Sequence, residues 1–468
     1  ESGFLVLSDG EEALLWRGLL ADRATRTIDA QYFIWSQDNV GTIAAERLIQ
    51  AADRGVRVRV IVDEITLDAK PLFLIYLDGH PNVEIRVYNP SGSIGMGGVG
   101  KMMNLLGDFR RLNRRMHNKA FIVDGSFAIL GGRNVADEYF DLDPRLNFRD
   151  LDLLAVGPVI PEISNSFDEY WNSEWVMPVG DILQIKYLPE DAEKYFTQLH
   201  EYAGRTENFP PRFQQDLESL SQHFDAMGPA TLDWGVARLI YDAPGKNLDL
   251  NSLEAFGESG RQLTELALSA RHEIIVETPY LVLLEGTFHV LDELINRGVK
   301  ISFITNSLAA TDAIWVHASY ASQRNKLLDM GIDIFEYRSS PDDKEHFIKH
   351  LIMKNKDMIV SLHAKTMVID DRFVFVGSFN MDPRSTHLNT EMGLVVDSIE
   401  LAARITSRLK NDMAPQNSWR VTLQEDGRTK WATRKSGQTD IRESEPDVTI
   451  GKALLFLPLA ILPITPLM

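Results

Sequence analysis

Two stretches of the chain carry almost the same text: MHNKAFIVDGSFAILGGRNVADEYF at 116–140 and SLHAKTMVIDDRFVFVGSFNMDPRS at 361–385. Each sets a histidine and a lysine at i and i+2, runs through apolar residues, turns, and ends in glycine, a small residue and asparagine. On a strand that spacing points both side chains to one face. The flanks repeat as well. RTIDAQYFIW reads as a strand; Ala44, Ala45, Leu48, Ile49 and Ala52 mark one helix face; Gly55 ends that helix; and Val56, Val58 and Val60 alternate as the next strand. HEIIVETPYLV and VLDELINRGVKISFITNS, with Gly298, give the same order ahead of the second motif.

Strand and helix alternating in this way predict an α/β chain of two domains, each a mainly parallel sheet flanked by helices. A pseudo-two-fold would relate them, with one active site at their interface. A length of 468 residues accommodates two cores. The expected division is residues 1–180 for the first domain, 181–231 for a connector or insertion, 232–415 for the second domain, and 416–468 for an appendage with an apolar tail. The connector text ENFPPRFQQDLESLSQHFDAMGPA resembles neither half.

Each half presents one titratable imidazole, one cation and a loop of small residues: His117, Lys119, Gly131, Gly132 and Asn134, then His363, Lys365, Gly377, Ser378 and Asn380. Small residues let a ligand approach the backbone, and asparagine offers amide donors. Two histidines and two lysines around one anion suit a phosphodiester. One neutral imidazole attacks phosphorus to give a phosphohistidine, while the opposite imidazolium protonates the departing oxygen. Lysines and asparagines hold the equatorial oxygens. The scheme calls for no metal and no other cofactor. Asp124 and Asp370 close each motif five residues beyond its lysine, where a turn assigns them an organising role. Asp150 and Glu391, each just ahead of an apolar strand, are placed to accept a hydrogen bond from an imidazole and orient it.

This pattern resembles the phospholipase D superfamily, whose signature is His-x-Lys-x4-Asp followed by Gly-Ser/Gly-x-Asn. The first copy has Gly132 where serine is commoner, so the halves need not be equivalent. DFRRLNRRMHNKAFIVDG, GGRNVADEYF, NFRDLDLLAVGPV, ITNSLAATDAIWVHASYA and GSFNMDPRSTHLNTEMG are similar to the bacterial cardiolipin synthases of the C type. The resemblance implies transfer of a phosphatidyl group from one phospholipid, phosphatidylethanolamine, to the glycerol hydroxyl of phosphatidylglycerol, giving cardiolipin. It also implies a peripheral protein on the cytoplasmic side of a bacterial inner membrane. Carried over by position, the catalytic set is His117, Lys119 and Asp124 with His363, Lys365 and Asp370. His117 is the nucleophile and His363 the general acid and base. Asn134, Asn380 and Ser378 contact phosphate, with Ser385 a lesser candidate.

A hydrolytic phospholipase D releasing phosphatidic acid and a nuclease of the same superfamily are the alternatives, with a non-catalytic lipid-binding module behind them. A formal charge of -19 and the lack of basic stripes interleaved with aromatics count against a nucleic-acid partner. The absence of cysteine excludes disulfides and zinc thiolates.

Several features point to a membrane surface. Residues 91–120 pass from glycines through Met and Leu to Arg110, Arg111, Arg114 and Arg115; this order suits a segment that enters lipid headgroups, and Arg114 and Arg115 are expected to bind the anionic substrate. The tail from Ala453 to Met468 is apolar but short, and Pro458, Pro463 and Pro466 interrupt it. It reads as a packed tail or a monotopic contact, not a span. His346 and His350 at i, i+4 read as a solvated helix face, and His317 as a structural or substrate-contacting residue. The chain opens at Glu1 and not at methionine, which leaves room for an upstream start, signal or anchor.

Overall fold

The repeated text folds into repeated structure. The computed structural model describes residues 1–65, 72–90, 114–183, 189–209, 213–226, 228–246, 257–344, 357–435 and 437–459. In the first half, strand Thr27–Tyr32 leads through helix Asn39–Asp53 to strand Arg57–Asp63, and later to strand Val83–Tyr88. The Asp38 side chain accepts from Gly41 N and caps the helix start. Gly55 ends it at φ +91°, a left-handed conformation that costs glycine little. The second half repeats this with strand Glu273–Glu277, helix Glu285–Asn296, Gly298 at φ +83°, and strands Lys300–Asn306 and Asp333–Tyr337.

These three strands of each half pair in parallel, as the alternation with helices requires. The motif strands do not. Ala120–Val123 lies antiparallel on Thr27–Tyr32, turns through 124–126 into Phe127–Gly131, and continues antiparallel to Asp152–Val156 and Ser2–Leu7. Thr366–Ile369, Phe373–Gly377, Met392–Asp397 and Asp233–Tyr241 take the corresponding places in the second half. Each sheet is therefore mixed, parallel where helices make the crossovers and antiparallel where tight turns do. Strand Ser2–Leu7 pairs antiparallel with Asp233–Tyr241, which joins both halves into one 18-stranded sheet among the described residues.

Among the described residues three apolar cores form where length alone suggested two. One belongs to each half. The third is shared, with Ile122, Leu130 and Leu153 packing in one cluster with Val368, Val376 and Leu394. Burying such side chains is worth roughly 1.5–3 kcal/mol each, so the halves are held as one body. Helices Pro189–Ala203 and Phe213–Ala226 of the connector pack on the first half, and Leu199 and Phe213 enter its core. The appendage extends the sheet: Ser418–Leu423 pairs with Asp333–Tyr337, followed by Thr429–Lys435 and Gln438–Arg442. The chain then forms helix Ile450–Leu459. Among the described residues no helix is long and apolar enough to cross a membrane.

Candidate active site

Two short parallel contacts between the halves build the site. Strand Leu146–Arg149 pairs with Ile359–Leu362 so that Leu362 lies opposite Arg149, which brings the next residues, His363 and Asp150, together. His363 Nδ1 is 2.6 Å from the Asp150 carboxylate. Met116 bridges Thr390 in the same sense, and His117 Nδ1 lies 2.9 Å from Glu391. Each imidazole is thus oriented by the carboxylate of the other half. The backbone fixes the pairing, with His117 N donating to Thr390 O at 3.0 Å and His363 N to Arg149 O at 2.8 Å. With Nδ1–H donated to a carboxylate, Nε2 is the ring nitrogen turned away from the carboxylate in both histidines, a tautomer assigned from these partners.

His117 and His363 are 7% and 5% exposed, and both carboxylates are fully buried. Lys119 Nζ donates to His117 O at 2.5 Å; Lys365 Nζ donates to His363 O and lies 2.9 and 3.0 Å from the His363 ring nitrogens. Burial pushes the Lys119 ammonium well below its ordinary pKa and Lys365 down to about 8. The Lys365 charge also bears on Lys119 and on His117, so the two motifs share one electrostatic site. Burial lowers His117 to about 4, against the pull of Glu391 and with the push of Lys119. It is neutral at pH 7, with a lone pair available for attack. Burial and Lys365 lower His363 against Asp150. Burial opposes ionisation of Asp150 and Glu391, yet their histidine and lysine neighbours hold both below the ordinary carboxylate range.

The departure at Gly132 has a steric cause. Gly131 pairs with Asp152 and Gly377 with Gly393, so Asp150 and Glu391 occupy the same register, one methylene apart in length. A Cβ at Gly132 would lie 2.1 Å from Asp150 Oδ1. The longer Glu391 leaves space for Ser378, whose Oγ donates to it, as does Ser385 Oγ at 2.6 Å. The halves are thus inequivalent: His117 faces a carboxylate braced by two hydroxyls, and His363 faces one braced by the Leu151 N–H at 2.7 Å.

The other expected contacts find mixed places. The Asn134 amide donates to Tyr139 OH at 2.9 Å, whereas the buried Asn380 Oδ1 has no hydrogen-bond partner among the described residues. Arg114 donates to the carbonyls of Gly245 and Lys246, and Arg115 to Asp63 and Glu64. Both guanidiniums are fastened to protein acceptors, because the basic text signalled charge but not direction. Arg110, Arg111, His346 and His350 lie outside the described residues. His317 is buried, with its ring against Tyr320 and Phe456.

Asp124 and Asp370 stand away from the imidazoles, at the far end of each motif strand, and so leave the catalytic set. Each adopts a left-handed turn, φ +54° and +53°, that asparagine and aspartate tolerate. Asp124 accepts from the N–H groups of Thr25, Arg26 and Thr27, and Asp370 from those of Arg271, His272 and Glu273. Partial burial opposes it, but these donors hold both carboxyls below their usual pKa. Their contribution to stability is therefore present above the unfolded value near 3.8 and is lost as pH falls through the folded value. Asp124→Ala is expected to lower stability by about 1–2 kcal/mol, after discounting charge-assisted bonds for solvent screening. Turnover below the melting transition should be unchanged; a thermal melt beside a rate measurement checks both.

Sequence reasoning missed several neighbours. Phe33 packs edge-on to the His117 ring at 5.0 Å, and Tyr139 and Phe148 flank His363 at 5.1 and 4.9 Å. Asp63 accepts from Met116 N and Asn306 from Leu362 N, both at 2.8 Å, so equivalent side chains clamp the residue before each histidine. Their only signal was a polar residue closing a strand. Since asparagine already serves in the second half, Asp63→Asn should retain turnover within a factor of about three, while Asp63→Ala should lose about tenfold through a misplaced His117. Equal damage from both would show that the charge, not the clamp, is needed.

A family model described as cardiolipin synthase, phospholipase D-like domain, matches residues 20–171 and 263–413. The chain belongs to this family. It is 34% identical over 470 residues to cardiolipin synthase C of Escherichia coli K12, covering 99% of this chain and 96% of that protein. It is 26% identical over 415 residues to the major cardiolipin synthase ClsA of Bacillus subtilis 168, covering 87% and 68%. The crystal structure of phosphatidylserine synthase from Haemophilus influenzae Rd KW20 superposes with a TM-score of 0.62 over 99% of this chain and 94% of that one, at 13% identity, and so shares the fold.

Proposed function

We propose that this chain is a cardiolipin synthase, which transfers a phosphatidyl group from phosphatidylethanolamine to phosphatidylglycerol through a phosphohistidine. The observation that carries the reading is the exchange of partners: two buried histidines, each oriented by the carboxylate of the opposite half. Nε2 of His117 attacks phosphorus. The bond from phosphorus to the headgroup oxygen breaks as His363 gives that oxygen a proton. The glycerol hydroxyl of phosphatidylglycerol then gives its proton to His363 while its oxygen attacks phosphorus and breaks the P–N bond, restoring both imidazoles. Lys119 and Lys365, with Asn380, serve the equatorial oxygens. A peripheral position on the cytoplasmic side of a bacterial inner membrane, which the family resemblance supports, belongs to this reading, as does the lack of a nucleic-acid partner, which the formal charge of -19 supports.

The test is purified protein with vesicles of phosphatidylethanolamine and phosphatidylglycerol, read by mass spectrometry. Cardiolipin supports transfer; phosphatidic acid alone would replace it with hydrolysis by water at the same phosphoenzyme.

A proton should accompany the anion. Burial keeps His363 below its ordinary pKa, and a phosphodiester beside the ring favours its charged form. At pH 7, diethyl phosphate, which does not titrate there, is expected to bind with proton uptake. Calorimetry in two buffers of different ionisation enthalpy reads this; identical heats would show that His363 does not change charge.

A further inference from the structure

The final helix of the described chain is apolar on the side turned to solvent. In helix Ile450–Leu459 no residue is buried, and Ile450, Leu454, Leu455 and Leu457 are 59–81% exposed. Trp315, on the helix Ile314–Asp329 against which this one packs, is 54% exposed. The opposite side is the attached one: the Phe456 ring lies edge-on to His317 at 5.9 Å, and Lys452 Nζ donates to Ala309 O at 3.0 Å and Thr311 O at 2.7 Å. Lys452 is the only charged residue from Ile450 to Met468. Its ammonium is turned inward onto carbonyls, so it gives the outward face no charge. Residues 460–468, AILPITPLM, continue the apolar text to the chain end.

The position of this face is as informative as its composition. The residue after Thr311 is Asp312, which accepts from Tyr280 OH at 2.8 Å and whose charge bears on His363 and Lys365. The carbonyls that hold Lys452 thus belong to the loop that also carries Asp312, the carboxylate whose charge reaches His363 and Lys365.

We propose that the outward face of helix Ile450–Leu459, with Trp315 beside it, is the surface by which the enzyme lies on a phospholipid bilayer, and that Lys452 fixes this surface next to the mouth of the site. The inference rests on the phospholipid reading of that site. An exposed face of leucines and isoleucine without charge matches an acyl and headgroup boundary, and an exposed tryptophan suits the same depth. A polar protein partner would find no charge there to pair. A bilayer contact beside the mouth lets a lipid reach the histidines from the membrane without leaving it entirely.

The experiment uses the full chain and vesicles of phosphatidylethanolamine and phosphatidylglycerol, and compares Leu454→Ser/Leu457→Ser with Ile399→Ser. Ile399 is 64% exposed and follows strand Met392–Asp397 at the end away from Glu391. Removing two inserted leucines should weaken vesicle binding in a flotation assay by about 100-fold, and Ile399→Ser should leave it unchanged. Turnover of dihexanoyl phospholipids as monomers should survive in the double variant, with an unaltered melting temperature, while turnover on vesicles falls. Vesicle binding equal to that of the unmodified protein would overturn the proposal. So would a change from dimer to monomer in sedimentation without loss of vesicle binding, which would make the face a contact between copies. If the double variant unfolds, Trp315→Ser, outside the helix, takes its place with the same two outcomes, at about tenfold. Vesicle binding that depends on this face, without phospholipid turnover by the unmodified protein, would keep the docking surface and refute the proposed reaction.

Discussion

His117→Ala is expected to abolish cardiolipin formation, with a loss of about 10⁴-fold or more, because the substitution removes the atom that bonds phosphorus and not merely a proton carrier. His363→Ala should be nearly as damaging to overall turnover, for a different reason. Without His363 the headgroup oxygen leaves unprotonated and the acceptor hydroxyl keeps its proton, so both half-reactions slow. The two variants separate when the substrate carries a leaving group that needs no proton, such as p-nitrophenol. His363→Ala should then release one equivalent of p-nitrophenol in a burst and accumulate phosphoenzyme, because the second step still lacks its base. His117→Ala should show no burst. A burst from His117→Ala and none from His363→Ala would reverse the two roles while leaving the rest of the geometry intact. His117 is given the first role by its position in the motif, and its neutral state, lowered to about 4 chiefly by burial, supplies the lone pair that role needs.

Much of this site was readable before the fold because its information is local. A histidine and a lysine two residues apart on a strand share a face, and the strand, helix and glycine order around Gly55 and Gly298 repeats by inspection. Asp150 and Glu391 were also readable as acceptors, but not the histidine each would serve. Asp150 meets His363 across 213 positions and Glu391 meets His117 across 274. That exchange is decided by the two parallel contacts between the halves, which no periodicity encodes. The sheet misled in part for a similar reason: alternating helices announce parallel pairing, whereas the turn at 124–126 sends the motif strands antiparallel. Arg114 and Arg115 illustrate a different limit. Charge is visible in a sequence, but the direction of a long side chain depends on which acceptors the fold places nearby, here Gly245, Asp63 and Glu64. Gly132 was visible as a departure, and only the 2.1 Å approach to Asp150 explains it.

The exchange of carboxylates makes the second large effect. Glu391→Gln keeps the volume at a fully buried position but replaces an acceptor-only group by one that also donates. In the native site Glu391 receives the His117 Nδ1–H and the hydroxyls of Ser378 and Ser385. A glutamine that turns its NH₂ toward the ring would bind the tautomer whose proton sits on Nε2, which removes the lone pair needed for attack. The expected loss in kcat is about 10³-fold, within the range for a positioned acid or base, and KM should change little because the lysines remain. Asp150→Asn perturbs His363 instead. With the p-nitrophenyl substrate its burst should survive, while Glu391→Gln should lose the burst as well as turnover. Two chemically similar substitutions in opposite halves would thus have opposite effects on one observable, each through the histidine of the other half. If each variant affected only the chemistry of the histidine in its own half, the crossed pairing would not be the arrangement that operates in catalysis.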